Sequence, residues 1–278
     1  MFHFLHTYSP DPILCQCGFL TIHWYGLFIA LAIVLGLFLV YYLFKGYNLK
    51  RDLVWDLSFY IIIFGIIGDR LAHVFLYDWE YYSQNLLDIL KIWQGGLAIH
   101  GAIFTGILVL FIYARKKFLS FWLLADIFAP ALVLGQTIGR WGNYFNQEIY
   151  GLPTDLPWGI PINLVNRVKG YESFTHFHPT FLYLSIWCLL IFMVLFFWHK
   201  KRIKVFKNTG IIKGVGNIFL SYLFLYSIGR FLVEFIRLDL QPEPLGLRMG
   251  QWLSLVTVTL GIGLILSRHF KSKRIEKT

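Results

Sequence analysis

Residues 20–44 read LTIHWYGLFIALAIVLGLFLVYYLF, with Lys45 directly after them. No Asp, Glu, Lys or Arg interrupts this run, and it exceeds the roughly 20 apolar residues that a helix needs to cross a bilayer core. Six further stretches are predominantly apolar and of comparable length, some with isolated charges, at 53–77, 96–114, 122–144, 178–199, 215–237 and 249–268. They lack the apolar–polar alternation of barrel strands, and a helix satisfies its own backbone groups where no water is present. The pattern predicts an all-α integral membrane protein with seven transmembrane helices. Composition agrees: 57% of the 278 residues are hydrophobic, 19% are aromatic and 14% are charged. A soluble domain carries about a quarter charged residues.

The net charge of +10 would suggest nucleic acid if the basic residues formed a soluble face. They sit instead in short connections. Lys45, Lys50 and Arg51 follow the first run, and Arg115, Lys116 and Lys117 follow the third. Six more lie between Lys200 and Lys213, and five between Arg268 and Lys277, so these segments hold 17 of the 25 Lys and Arg. With seven spans, all four segments fall on one side. The positive-inside rule makes that side cytoplasmic, with the N-terminus outside and the C-terminus inside. Anionic lipid headgroups are the expected partners of this charge, and nucleic acid is not. The chain reads as a single polytopic membrane domain, 1–278. Within it, 78–95 forms an outer interfacial segment, and 145–177, rich in Pro and Gly, forms an outer cap. The N-terminus has neither a basic start nor a small-residue cleavage site, so no signal peptide is expected. Cys15, Cys17 and Cys188 have no partners at metal-ligand spacing. No metal or cofactor is expected.

Ionisable residues within apolar spans are costly and need partners or a function. This chain has Asp56, Asp69, Arg70, His73, His100, Arg140, Arg230, Glu234 and Arg237, with Glu148 just beyond the fourth span. On the seven-span topology all but Asp56 gather at the outer ends of helices. Arg140 and Arg230 lie on separate helices at one depth, which suits a shared phosphate, because the guanidinium fork binds phosphate oxygens and stays charged. Arg230, Glu234 and Arg237 follow i, i+4, i+7 and are expected on one helix face. Gly135, Gly139 and Gly142 are spaced for tight helix packing. A lone histidine such as His100 is compatible with either a structural or a catalytic role.

The run Gly139-Arg140-Trp141-Gly142-Asn143-Tyr144-Phe145-Asn146-Gln147-Glu148-Ile149-Tyr150-Gly151 resembles the signature of the prolipoprotein diacylglyceryl transferase family, close to G-R-x-G-N-[FY]-x-N-x-E. Four other stretches resemble the family in order: His23-Trp24-Tyr25-Gly26, Gly95-Gly96 with His100-Gly101, His178-Pro179-Thr180-Phe181-Leu182-Tyr183, and Tyr226 through Arg237. The resemblance implies transfer of the sn-1,2-diacylglyceryl group from phosphatidylglycerol to the lipobox cysteine of a prolipoprotein signal peptide. It also implies residence in the bacterial cytoplasmic (inner) membrane. It implies catalytic roles for His100, Arg140, Arg230 and Glu234, and substrate-binding roles for Tyr25, Arg140, Asn143, Glu148, Gly151, Tyr226 and Arg230. Two residues depart from the pattern. Ala102 stands where many members have a second Gly. Leu184 stands where the family usually has Glu, so no role is carried onto the fifth span.

The chemistry fits these residue types. A carbon–oxygen bond breaks at the glyceryl carbon, and arginines stabilise charge on the departing phosphate. The acceptor thiol belongs to the peptide, and a base such as His100 would help ionise it. The alternative is an anion transporter or channel with intramembrane arginines. Against it, the charges gather at one leaflet and no half-to-half repeat is evident.

Overall fold

A computed structural model describes residues 2–18, 20–92, 95–96, 98–239 and 241–275, without the side chains of Phe2, Cys17, Leu20 and residues 265–275. Expectations resting on the side chains of Cys17 and of Arg268 through Lys277 lie outside the described residues. The chain opens with α1 (Phe2–Thr7), β1 (Ile13–Cys17) and β2 (Leu20–His23), then α2 (Trp24–Gly46), α3 (Asp52–Leu76) and α4 (Trp79–Gln84). Next come α5 (Ile99–Lys116) and α6 (Phe121–Phe145), the two-residue strands β3 (Ile160–Pro161) and β4 (His176–Phe177), then α7 (Thr180–Thr209), α8 (Asn217–Glu234) and α9 (Met249–Ile275). Among the described residues, α2, α3, α5, α6 and α7 are long and apolar enough to cross a membrane. The protein is therefore a mostly helical, multi-pass membrane protein, with two short antiparallel β pairs in its connections.

Helix ends differ from the apolar runs for identifiable reasons. The first helix starts at Trp24 rather than at 20, because Thr21 and Ile22 pair with Gln16 and Cys15 in a hairpin. Gly18 supplies the positive φ of its turn. Helix α7 continues past the apolar run through a lysine-rich segment to Thr209, where basic residues favour the negative helix end. Left-handed Gly210 then stops it. Helix α8 ends at Glu234 instead of continuing to 237. Beyond it the backbone extends to pair with the segment after α6: Leu152 N–H donates to Ile236 O at 2.8 Å, and Leu238 N–H to Tyr150 O at 3.1 Å. The expected i, i+4, i+7 face is corrected accordingly, since Arg237 lies outside the helix.

The chain forms two compact units, Met1–Leu39 with Phe128–Thr278, and Val40–Ile127. In the first, α2 packs on α6 through small residues. A Cβ on Gly36 would stand 3.8 Å from Ala131 Cβ, and one on Gly135 3.8 Å from Ala32 Cβ. The expected glycine packing on α6 is thus present. A buried cluster of Val133, Cys188, Ile191, Leu195, Ile218 and Tyr222 joins α6, α7 and α8. The cap between α6 and α7 has its own core, in which Phe177, Tyr150, Ile160 and Ile162 pack with Leu5 of α1 and Leu238.

In the second unit, α3 lies against α5 at glycine contacts. A Cβ on Gly101 would collide with Gly68 O and stand 2.6 Å from Ala72 Cβ, so the two backbones approach closely. Outward faces carry apolar residues such as Phe59, Phe64 and Ile67, as expected of helices in lipid. The segment 78–95 holds α4 and a 3-10 turn, Leu86–Leu90.

Candidate active site

The motif Gly139–Gly151 builds its geometry at the end of α6. Gln147 N–H donates to Tyr144 O at 3.0 Å and Glu148 N–H to Asn143 O at 3.0 Å. These are the paired bonds of a Schellman turn, whose reversal residue takes a left-handed conformation. That residue is Gln147, with φ 52°. A non-glycine there costs about 1–2 kcal/mol, which its buried side chain helps offset. Gln147 Oε1 accepts from Asn163 N–H at 2.7 Å, and its Nε2 donates to Pro10 O at 2.7 Å. The turn places Asn143 beside Glu148, and Asn143 Nδ2 donates to Glu148 Oε1 at 2.8 Å. Asn146 Nδ2 reaches the same oxygen at 3.4 Å.

Arg140 stands one turn earlier on α6. Its Nη1 donates to Asn143 Oδ1 at 3.4 Å and its Nη2 to the Tyr226 hydroxyl of α8 at 3.3 Å. One turn deeper, Gln136 Nε2 donates to the Tyr222 hydroxyl at 2.9 Å. Two residues at i, i+4 on α6 thus face two at i, i+4 on α8, fixing the register of the helices at this depth. Arg230, one turn past Tyr226, lies close enough to Arg140 and Arg237 for their like charges to act on one another.

Those charges are distributed around one carboxylate. Glu234 is fully buried; its Oε2 lies 3.1 Å from Arg230 Nη2 and 3.2 Å from Arg237 Nη1. Its Oε1 lies 3.6 Å from Arg248 Nε. Arg237 is also held by a fork on Asp239, with Nε to Oδ1 at 2.7 Å and Nη2 to Oδ2 at 2.7 Å. Burial alone would raise the Asp239 pKa, but the charge of Arg237 and the hydrogen bonds from Gln241 and Arg237 hold it below the usual carboxylate value. Arg230 is the more open of Glu234's three cations, with its side chain 20% exposed against 4% for Arg237 and 10% for Arg248.

Tyr25, at the start of α2, lays its ring on Gly142; a Cβ there would overlap the ring. Gly151 sits where three stretches meet. Its N–H donates to His178 O at 2.9 Å, it bridges to Arg237, and a Cβ on it would be 2.7 Å from Ile236 O. Close packing accounts for this glycine.

Of the residues expected from sequence, Tyr25, Arg140, Asn143, Glu148, Gly151, Tyr226, Arg230 and Glu234 therefore belong to one unit, and the bonds above link Arg140, Asn143, Glu148 and Tyr226. His100 belongs to the other unit, on the first turn of α5. There Arg70 shapes the approach to it. Its guanidinium donates to Ile89 O at 2.9 Å, Asp88 O at 2.6 Å, Gly95 O at 2.6 Å and Gly96 O at 2.8 Å. His73 Nε2 lies 3.2 Å from Asp78 Oδ2. These residues, left without a role by sequence, hold the segment before α5. Arg248, Asp239, Gln136 and Gln147 were missed. Arg248 and Asp239 lie among loop prolines and glycines, where a charge reads as solvated, while Gln147 lay in plain view inside the motif.

A multi-pass helical membrane protein with an arginine-rich polar cluster at its helix ends is the class that this fold and site define. The family profile described as "Prolipoprotein diacylglyceryl transferase" matches residues 12–267. A protein of Trichormus variabilis named phosphatidylglycerol–prolipoprotein diacylglyceryl transferase is 46% identical over 93% of this chain and 89% of its own length. Proteins of the same name from Acaryochloris marina and Synechocystis sp. are 45% and 40% identical, over 91% and 96% of this chain and 89% and 92% of their own lengths. The chain belongs to the prolipoprotein diacylglyceryl transferase family.

Proposed function

We propose that this chain transfers the sn-1,2-diacylglyceryl group of phosphatidylglycerol to the lipobox cysteine thiol of a prolipoprotein. Sulfur forms a thioether with the glyceryl carbon, the carbon–oxygen bond to phosphate breaks, and glycerol phosphate leaves. The observation that carries this reading, beside family membership, is the state of Arg140. Among the described residues its guanidinium bonds a neutral amide and a phenol, which leaves its charge available to an anion. Arg230 adds a second guanidinium, half-committed to Glu234. Together they stabilise charge growing on the departing phosphate, worth most in a dry site. Glu234 orients Arg230. Asn143 and Glu148, already bonded to each other, orient Arg140 or bind the glycerol hydroxyls, and Tyr25 and Tyr226 bind headgroup oxygens. His100 takes the thiol proton.

The topology that supports this chemistry has seven spans: α2, α3 and α5 through α9. Its N-terminus is outside, its C-terminus is in the cytoplasm, and its polar cluster faces the outer leaflet of the bacterial cytoplasmic membrane. It is one polytopic domain, with 78–95 at the outer interface and 145–177 as an outer cap. The test is a mass assay. Purified protein, phosphatidylglycerol and a lipobox peptide should yield a peptide heavier by one diacylglyceryl group on cysteine. Absence of that product, with flux of an anionic solute into protein-containing vesicles, overturns the reading in favour of transport.

A further inference from the structure

We propose that Arg248 is a positioning residue that keeps Arg230 available to the lipid phosphate by taking over part of the charge of Glu234; this rests on the phosphate-binding role given to Arg230 above. Arg248 precedes α9 and is buried. Its Nη1 donates to the carbonyls of Glu234 at 3.2 Å and of Arg237, and its Nη2 to the carbonyl of Asp239 and to Asp239 Oδ1 at 3.4 Å. These bonds cap the unwound end of α8, where carbonyls lack helical partners. Its Nε faces Glu234 Oε1 at 3.6 Å, and Glu243, largely exposed, stands 3.9 Å from the same nitrogen. The first turn of α9 presses on the same carboxylate, since a Cβ on Gly250 would be 2.8 Å from Glu234 Oε2. The positive end of that helix adds to the field of Arg248.

The cluster is therefore a competition for one buried anion. Arg237 is fixed on Asp239 by its fork and has little freedom to change its hold on Glu234. Without Arg248, Oε1 is left buried and uncompensated, a costly condition. The cation able to relieve it is Arg230, which is already on Oε2 and is the more open of the three. Arg230 then closes onto both carboxylate oxygens and withdraws donors from the phosphate. Such a coupling runs through the charge of Glu234. A mere staple of α8 to α9 would act whether that charge is present or not.

The experiment measures phosphatidylglycerol affinity in mixed micelles for Arg248→Met and Arg248→Lys, each in the wild-type and Glu234→Gln backgrounds, with Arg230→Lys as a control. Arg248→Met should weaken binding about tenfold in the wild-type background, about 1.4 kcal/mol. In the Glu234→Gln background the effect should be twofold or less, and Arg248→Lys should restore part of the loss. Equal losses in both backgrounds overturn the proposal while leaving the role of Arg230 standing. Unchanged affinity in Arg230→Lys overturns both. Should Arg248→Met not purify folded, Arg248→Gln, which also removes the charge, takes its place in the two backgrounds and is judged by the same criterion.

Discussion

Replacing Arg140 by lysine keeps the charge and removes the fork, and the structure sets how much that should matter for activity and for stability separately. The two bonds of Arg140 within the protein are 3.4 and 3.3 Å long, beyond the usual N–H···O range. Their loss should cost less than about 1 kcal/mol of stability. A forked bond to a phosphate in the transition state is charge-assisted, and losing one such bond costs about 1.5–3 kcal/mol, or roughly 10- to 150-fold in kcat/KM. Arg237 is the contrast. Its fork on Asp239 and its bond to Glu234, at 2.7, 2.7 and 3.2 Å, are made within the protein, so Arg237→Met should destabilise by about 3 kcal/mol. The assay follows diacylglyceryl transfer to a labelled lipobox peptide, with thermal unfolding in detergent measured on the same preparations. Arg140→Lys should be nearly wild-type in stability and at least tenfold slower. Turnover within threefold of wild type would refute the phosphate-clamp reasoning. So would a fall in stability like that of Arg237→Met, because Arg140 would then be a structural ion.

The pH–rate profile tests His100. If it is the base, His100→Asn should lose the rising limb of the wild-type profile, whereas a wild-type rate at neutral pH would exclude it. Gly101→Ala places a methyl group against Gly68 O and should cost about 1–3 kcal/mol by overpacking, read as a lower unfolding midpoint. The Asp239 carboxyl is held below its ordinary value by Arg237 and Gln241 against the opposing effect of burial. Its stabilisation is therefore complete above the unfolded pKa of about 3.9 and is lost as pH falls through the lower folded value. Wild type should lose more thermal stability between pH 6 and pH 3 than Asp239→Asn, and parallel curves would exclude this linkage. Arg70→Met removes the donor shared by Asp88, Ile89, Gly95 and Gly96; hydrogen exchange across 85–96 should rise at least tenfold while α7 is unchanged.

Much of this architecture is legible in the sequence because lipid imposes one dominant rule. Long apolar runs become helices, and most observed ends lie within a few residues of the runs. Two exceptions arise where backbone pairing outcompetes hydropathy. Leu20–His23 is apolar enough to join α2, yet it pairs with Ile13–Cys17. Phe235–Arg237 continues the apolar pattern of α8, yet after a turn at Phe235–Ile236 the Ile236 carbonyl and the Leu238 N–H bond the cap. The first partner is adjacent in the chain but invisible to a hydropathy average, and the second is far away in sequence. Most of the roster of charged residues is legible for the same reason that the helices are: a charge in an apolar run stands out, although Asp126, fully buried in α6, is not in that roster. Arg248 and Asp239 lie in a polar connection and do not stand out. Burial, which makes them consequential, comes from tertiary packing around Glu234.

The motif carries a further lesson in how sequence encodes a site. Asn143 and Glu148 are five apart, a spacing that puts side chains on different faces of a continuous helix. They meet because the helix stops between them. Gln147 adopts the left-handed conformation that closes the Schellman turn, and the turn brings residues C3 and C″ together, where many proteins place an apolar contact. Here the contact is a 2.8 Å hydrogen bond, and its acceptor side chain faces the amide that also meets Arg140. Gln147 accepts its conformational cost because its amide ties the turn to Asn163 and Pro10. The spacing of the signature is thus the spacing of a helix end. Its polar pair, its strained residue and its arginine form one mechanical unit, in which a change to Gln147 would move Glu148, then Asn143, and then the guanidinium.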